Sequence, residues 1–192
     1  CKMVDGQELG TPSADEVNLR IEVAPINPAE ILIKEGKYAY KPLLPARLGI
    51  VGVGTVTAVG DGVQDFAVGD RVMSMGMTNW AQEIQVPAST LIKVSTEADL
   101  LQIGMLKVNP ATAKFMLDHY VDLKPGDWVV QNAGNSAVGR YLIQLAKAKG
   151  VHSINIVRRE GLEQELTEIG ADLVICLLYT SDAADDLWCG LV

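Results

Sequence analysis

The chain has 192 residues, 48% of them hydrophobic, which is enough to bury a core and suits one large domain or two small ones. Its formal net charge of −8 argues against a general nucleic-acid binder, because phosphate backbones reward a basic surface, and leaves small molecules as the expected partners. No apolar run approaches the roughly 18 residues of a membrane span, and Cys1, Cys176 and Cys189 have neither metal-ligand spacing nor the density of a disulfide framework.

Residues 16 to 24, EVNLRIEVA, alternate strictly, with Val17, Leu19, Ile21 and Val23 on one face, and predict a half-buried strand. Asn27-Pro28-Ala29-Glu30 then places a capping residue, a proline at the first helical position and an acid at the third, predicting a short helix to about Lys34. From Gly49 to Val94, the β-rich runs GTVTAV, RVMSM, QEIQV and LIKV alternate with turn signals at Asp61-Gly62, Gly69-Asp70 and Pro87. They predict a β-dominated, barrel-like half. A domain boundary is expected in residues 95 to 108, drawn at 100/101, with no flexible linker. Beyond it, strand 127–133, helix 137–149, strand 152–158, helix 160–169 and strand 172–176 make a βαβαβ run, hence a doubly wound parallel sheet. Trp128-Val129-Val130 is apolar without alternation, which suits a strand covered on both faces. Val138, Leu142, Leu145 and Ala146 recur at helical spacing after it, and Gly150 stands where a left-handed stop is expected.

Between that strand and helix lies Gly134-Asn135-Ser136-Ala137-Val138-Gly139, a G-x-G-x-x-G turn with serine for the middle glycine. Gly134 suits a tight turn and Gly139 close packing of helix on strand. Ser136 can approach a pyrophosphate and add a hydroxyl donor, while the helix start offers free N–H groups and partial positive charge. Asn135, Ser136, Ala137, Val138 and Gly139 are therefore the expected phosphate contacts, although the same turn also fits an ordinary strand-to-helix connection. The second strand runs into Arg158-Arg159, where enzymes using the unphosphorylated cofactor usually place an acid for the ribose 2′-hydroxyl. Arginines there suit a 2′-phosphate, favouring NADP, and two solvated arginines at a helix start would oppose its dipole. Glu160 beside them pulls the other way.

These residues resemble a family, the zinc-independent medium-chain dehydrogenase/reductases, and within it the 2-enoyl thioester reductases of fatty-acid synthesis. The phrases that carry the resemblance, in order, are Ile26-Asn27-Pro28-Ala29-Glu30, Gly36-Lys37-Tyr38, Gly52-Val53-Gly54, Val108-Asn109-Pro110-Ala111-Thr112-Ala113, Lys124-Pro125-Gly126-Asp127-Trp128 and Gln131-Asn132-Ala133-Gly134-Asn135-Ser136. The resemblance covers about residues 9 to 176. It implies a mixed α/β fold, a GroES-like β-barrel domain followed by an incomplete Rossmann sheet. It also implies NADPH-dependent reduction of the double bond of a trans-2-enoyl thioester carried on coenzyme A or acyl carrier protein, with hydride going to the β-carbon. Tyr38 takes the place of the family's tyrosine that protonates the α-carbon. A phenol of pKa about 10 keeps its proton at neutral pH and can still protonate a more basic enolate. If 36–42 is extended, Tyr40 shares its face and only the family phrase chooses between them; a tyrosine merely packed at a domain rim is the plainer alternative. Asn109 and Thr112 would contact the nicotinamide half of the cofactor, or act as a helix cap and an ordinary helical threonine. The full-length protein would be a homodimer, without nucleic-acid or membrane partners. The expected compartment is cytoplasmic, or mitochondrial in a eukaryotic source.

His119 and His152 have no acid or nucleophile at triad spacing, and Trp80 suits either an acyl pocket or a core. Zinc-dependent relatives carry Gly-His-Glu where this chain has Gly49-Ile50-Val51, so a catalytic zinc is excluded on ligand grounds, and the loss of a glutamate that the reductases usually keep removes local polar scaffolding. A quinone reductase of the same superfamily and a non-catalytic NADPH-binding protein are the competing readings. The last residues, 177 to 192, LLYTSDAADDLWCGLV, are acidic and read as a non-native tail resembling translated adapter sequence, with a short acidic helix as the alternative. On the tail reading the chain is a fragment lacking half its cofactor domain, and should be poorly folded and inactive alone.

Overall fold

A computed structural model describes residues 4, 6 and 8–177 of the chain; the tail from 178 onward lies outside the described residues. The chain divides into two compact units between Val108 and Asn109. The helix before that point, Leu100–Met105, goes with the first unit although the boundary was expected at 100/101, because its Ile103 is buried against Val53 and Met73.

The first unit is a five-stranded antiparallel sheet. Its strands are β1 (Glu16–Val23), β2 (Gly52–Val59), β3 (Arg71–Ser74), β4 (Glu83–Pro87) and β5 (Leu91–Lys93), in the order β4-β1-β2-β3-β5. Each predicted β-rich run becomes one strand. The core is one face of that sheet, Val17, Leu19, Val56, Val72, Ile84, Val86 and Leu91. Asn18 departs from the strict alternation: it is buried on the opposite face, where its amide donates to the carbonyl of Gly10 at 2.8 Å. Helix α1 (Pro28–Lys34) forms where its cap, N-terminal proline and acid predict it, and the Leu100–Met105 helix is α2.

The second unit starts with α3 (Asn109–Asp118), then β6 (Trp128–Gln131), α4 (Ala137–Lys149), β7 (His152–Val157), α5 (Glu163–Glu168) and β8 (Leu173–Cys176). The three strands pair in parallel in the order β6-β7-β8. Both crossovers run the same way along the sheet, so right-handed connection puts α4 and α5 on one face. There Val129, Leu142, Ala146 and Val151 pack with α3, and Ile143, Val157, Leu166 and Ala171 pack under α5. The expectation that Trp128-Val129-Val130 is covered on both faces is corrected: Trp128 is 55% and Val130 64% exposed. Only Val129 points toward the helices, and among the described residues nothing covers the opposite face of β6. Helix α4 ends as predicted, with Gly150 left-handed at φ 75°.

Candidate functional site

The turn between β6 and α4 is set by two close approaches. A Cβ on Gly139 would lie 2.6 Å from the Gly134 carbonyl oxygen and 2.8 Å from that of Ala133, and one on Gly134 would lie 2.9 Å from the Cβ of Asn155. Ala133 adopts φ 49°, a left-handed conformation in which a non-glycine residue is strained. Ser136 is the N-cap: its Oγ accepts from the Gly139 N–H at 3.0 Å, which leaves its hydroxyl hydrogen to donate. The N–H groups of Ala137 and Val138, in the first turn, have no intrahelical acceptor by the geometry of any helix start. A glycine-walled cradle opening onto a capped helix start fits the pyrophosphate of a dinucleotide. Gly139→Ala should therefore destabilise the fold by about 1–3 kcal/mol, since its neighbours are backbone and cannot step aside; a urea unfolding titration checks it.

Arg158 and Arg159 lie just past β7, both exposed, and among the described residues neither is ion-paired. They do not stand at a helix start as expected. The helix predicted over 160–169 runs only over Glu163–Glu168, and the arginines occupy the bend before it. Gly161 at φ 78° delays the helix, so the dipole argument against a solvated pair falls away. Asn109 is buried and opens α3 as its first helical residue rather than as a cap outside it, and Thr112 is exposed one turn on.

In the first unit, Tyr38 is 37% and Tyr40 48% exposed. Residues 38 and 39 form a bend, so the two rings do not share the face of an extended segment. His119 makes edge contacts with Phe115 and Tyr120. His152 stacks on Trp128 and pairs with Asp172 at 2.8 Å. That pairing was not legible as sequence spacing, because parallel register alone brings the starts of β7 and β8 together. The hydrogen bond with His152, reinforced by one from the Ser153 N–H, holds the Asp172 carboxyl below the usual carboxylate range.

Residues 13–96 match the alcohol dehydrogenase GroES-like domain. The chain is 40% identical over 170 residues to the mitochondrial enoyl-[acyl-carrier-protein] reductase of Caenorhabditis elegans, a match covering 85% of this chain and 49% of that protein. It superposes on the Etr1p structure solved with NADP and crotonyl-CoA with a TM-score of 0.81 at 32% identity, covering 86% of this chain and 53% of that one. The similarity is therefore to the medium-chain dehydrogenase/reductases, and the curated relatives it matches are named as enoyl reductases. A quinone oxidoreductase of Pseudomonas syringae pv. tomato DC3000 has the same TM-score of 0.81 at 28% identity, over 92% of this chain and 55% of that one. The chain spans about half the length of the curated relatives it matches. No helix among the described residues is long and apolar enough to cross a membrane.

With Ile50 and Val51 both apolar, the local polar scaffold comes from elsewhere. Glu30 on α1 is fully buried, and its carboxylate accepts from the Ile50 N–H at 2.7 Å and from the Asn27 N–H at 2.5 Å. Lys107 reaches the same residue through its other backbone group, donating to the carbonyls of Ile50 and, at 2.7 Å, Gly76. Burial pushes the Lys107 ammonium pKa down, and the charge of Glu30 pulls it partly back. Asn79 completes the set by donating to the Gly49 and Gly76 carbonyls at 2.9 Å each. Sequence reasoning had Glu30 only as a helix-start acid. Its second partner lies 20 residues away, and no local pattern marks it. Trp80 follows Asn79 in sequence, and its buried indole Nε1 has no hydrogen-bond partner among the described residues. Among the described residues no cluster of three or more histidines, cysteines and carboxylates could hold a metal ion.

Proposed function

We propose that the protein is an NADPH-dependent 2-enoyl thioester reductase. The observation that carries the reading is the turn at Gly134–Gly139, whose close glycine approaches and capped helix start suit a pyrophosphate, in a chain whose curated relatives are named as enoyl reductases. Bound NADPH supplies the hydride that reaches the β-carbon of the enoyl thioester. The first turn of α4, with Asn135, Ser136, Ala137, Val138 and Gly139, holds the pyrophosphate, and Arg158 and Arg159 hold the 2′-phosphate. Asn109 and Thr112 contact the nicotinamide half. Tyr38, with its phenol exposed, protonates the α-carbon of the enolate that hydride addition leaves. The full-length protein acts as a homodimer in the compartment where fatty acids are elongated, the mitochondrion in a eukaryote and the cytoplasm otherwise.

The segment around Tyr38 also bears on the substrate's carrier. Residues 34–47 hold Lys34, Lys37, Lys41 and Arg47 against Glu35, a local charge of +3 in a chain of −8. Lys37 pairs with Glu35 at 3.0 Å, but both side chains are exposed and such a pair holds weakly. Leu43 and Leu44 stand out into solvent beside it, so the patch combines charge with apolar contact. It would steer the phosphates of coenzyme A or an acidic carrier protein. Reversing Lys37 and Lys41 to glutamate should lower the association rate of the carrier about tenfold at low salt, the difference shrinking as salt rises. Stopped-flow binding at two ionic strengths checks it, and an unchanged salt dependence would leave a merely solvated loop.

The fold is shared with quinone reductases, which keeps NADPH:quinone reduction as the second reading. NADPH oxidation by the full-length gene product, with crotonyl and longer enoyl thioesters set against a quinone, separates the two. NADPH binding with no turnover on any of them would instead mark a non-catalytic binding protein.

A further inference from the structure

The layer between the parallel sheet and α4 is apolar at Val129 and Val157 but not at three neighbouring positions. Gln131, Ser153 and Asn155 face the same helix and are buried, Asn155 and Ser153 almost completely. Their side chains are joined end to end. The Asn155 Nδ2 group donates to the Ser153 Oγ at 3.0 Å and to the Leu173 carbonyl at 3.3 Å. Its Oδ1 accepts from the Gln131 Nε2 at 2.6 Å, and the same Nε2 donates onward to the Gly139 carbonyl at 3.0 Å. The chain of amides thus starts on β8, crosses β7 and β6, and ends on the third residue of α4, inside the turn that forms the cradle.

Buried amides are costly where methyl groups would pack, and replacing both partners of such a bond by apolar groups is often neutral for stability. The placement is specific to the cradle. Gly134 rests against the Cβ side of Asn155, and its N–H donates to the Ile156 carbonyl at 3.1 Å. Arg158 follows three residues after Asn155, in the bend just past the end of β7. One strand therefore supports the phosphate turn from below and carries the arginines at its end, and the amide link ties that strand to the helix start.

We infer that Gln131 and Asn155 are positioning residues that hold the first turn of α4 in the orientation that binds the cofactor's pyrophosphate. The inference rests on the dinucleotide reading given above. Preorganised donors bind without the cost of ordering them, so a helix start released from β7 still forms but binds a pyrophosphate less well. An adenosine 2′-phosphate without a pyrophosphate depends on the arginines and should not sense the change.

The test is titration of the whole chain with two probes, NADPH and 2′-AMP. Q131M is expected to raise the dissociation constant for NADPH about tenfold and to leave that for 2′-AMP within about twofold. Q131M leaves the Asn155 Oδ1 without its donor, at a cost to folding; the triple variant Q131M/S153A/N155L removes both amides together with the serine hydroxyl that Asn155 satisfies. It should keep the thermal midpoint of the wild type and show the same selective loss. A folded variant that binds NADPH as the wild type does overturns the inference, as does a parallel loss of both probes. A wild-type chain that binds neither probe overturns the dinucleotide reading, and this inference with it.

Discussion

Replacing Arg158 and Arg159 with alanine is expected to weaken NADPH binding about 100-fold and NADH binding less than threefold. Two charge-assisted hydrogen-bonding groups withdrawn from a phosphate account for a loss of that order, at about 1.5 kcal/mol or more for each. The structure leaves both side chains exposed at the end of β7, outside any helix and without an ion pair among the described residues, so nothing holds them away from a ligand. Glu160 beside them is the one acid that would favour the unphosphorylated ribose, and it remains in the double variant. Equal losses for the two cofactors, measured by fluorescence titration, would show that the pair does not read the 2′-phosphate.

The second large effect belongs to Tyr38. Tyr38→Phe should lower enoyl thioester reduction by about 10²–10⁴-fold, the usual contribution of a positioned proton donor, while a quinone, which does not require that donor, is reduced at the wild-type rate. Phenylalanine keeps the ring at a half-exposed site, so the substitution removes the hydroxyl and little else. Tyr40→Phe is the internal control, because Tyr40 carries a somewhat more exposed phenol two residues away and its loss is expected to change nothing. If both substrates slow together, Tyr38 is not the proton donor; if Tyr40→Phe carries the loss, the donor is Tyr40. The comparison matters more here than a spacing argument, since the bend at residues 38 and 39 removes the shared face on which the two tyrosines were compared.

The elements legible from the residues are those whose signals are local. Asn27, Pro28 and Glu30 lie within one turn, and α1 starts there. Val138, Leu142 and Ala146 repeat at helical spacing and Gly150 ends the repeat, and α4 spans the expected residues. The alternating and β-rich runs each became a strand, because side-chain period and turn chemistry are properties of neighbouring residues. The family resemblance, read from short phrases, matches the GroES-like domain and the enoyl reductase relatives for the same reason: each phrase is contiguous. Tertiary packing decided the rest. Whether an apolar strand is covered depends on which elements lie above it, so Trp128 and Val130 are exposed despite a sequence that reads as buried. Where α5 begins depends on the path the chain takes out of β7, which moved Arg158 and Arg159 from a helix start into a bend. Glu30 meets Ile50, His152 meets Asp172, and Gln131 meets Asn155 across 20, 20 and 24 residues. A hydrogen bond between such distant residues leaves no periodic trace in the chain, because strand register and helix packing, rather than spacing, bring its two ends together.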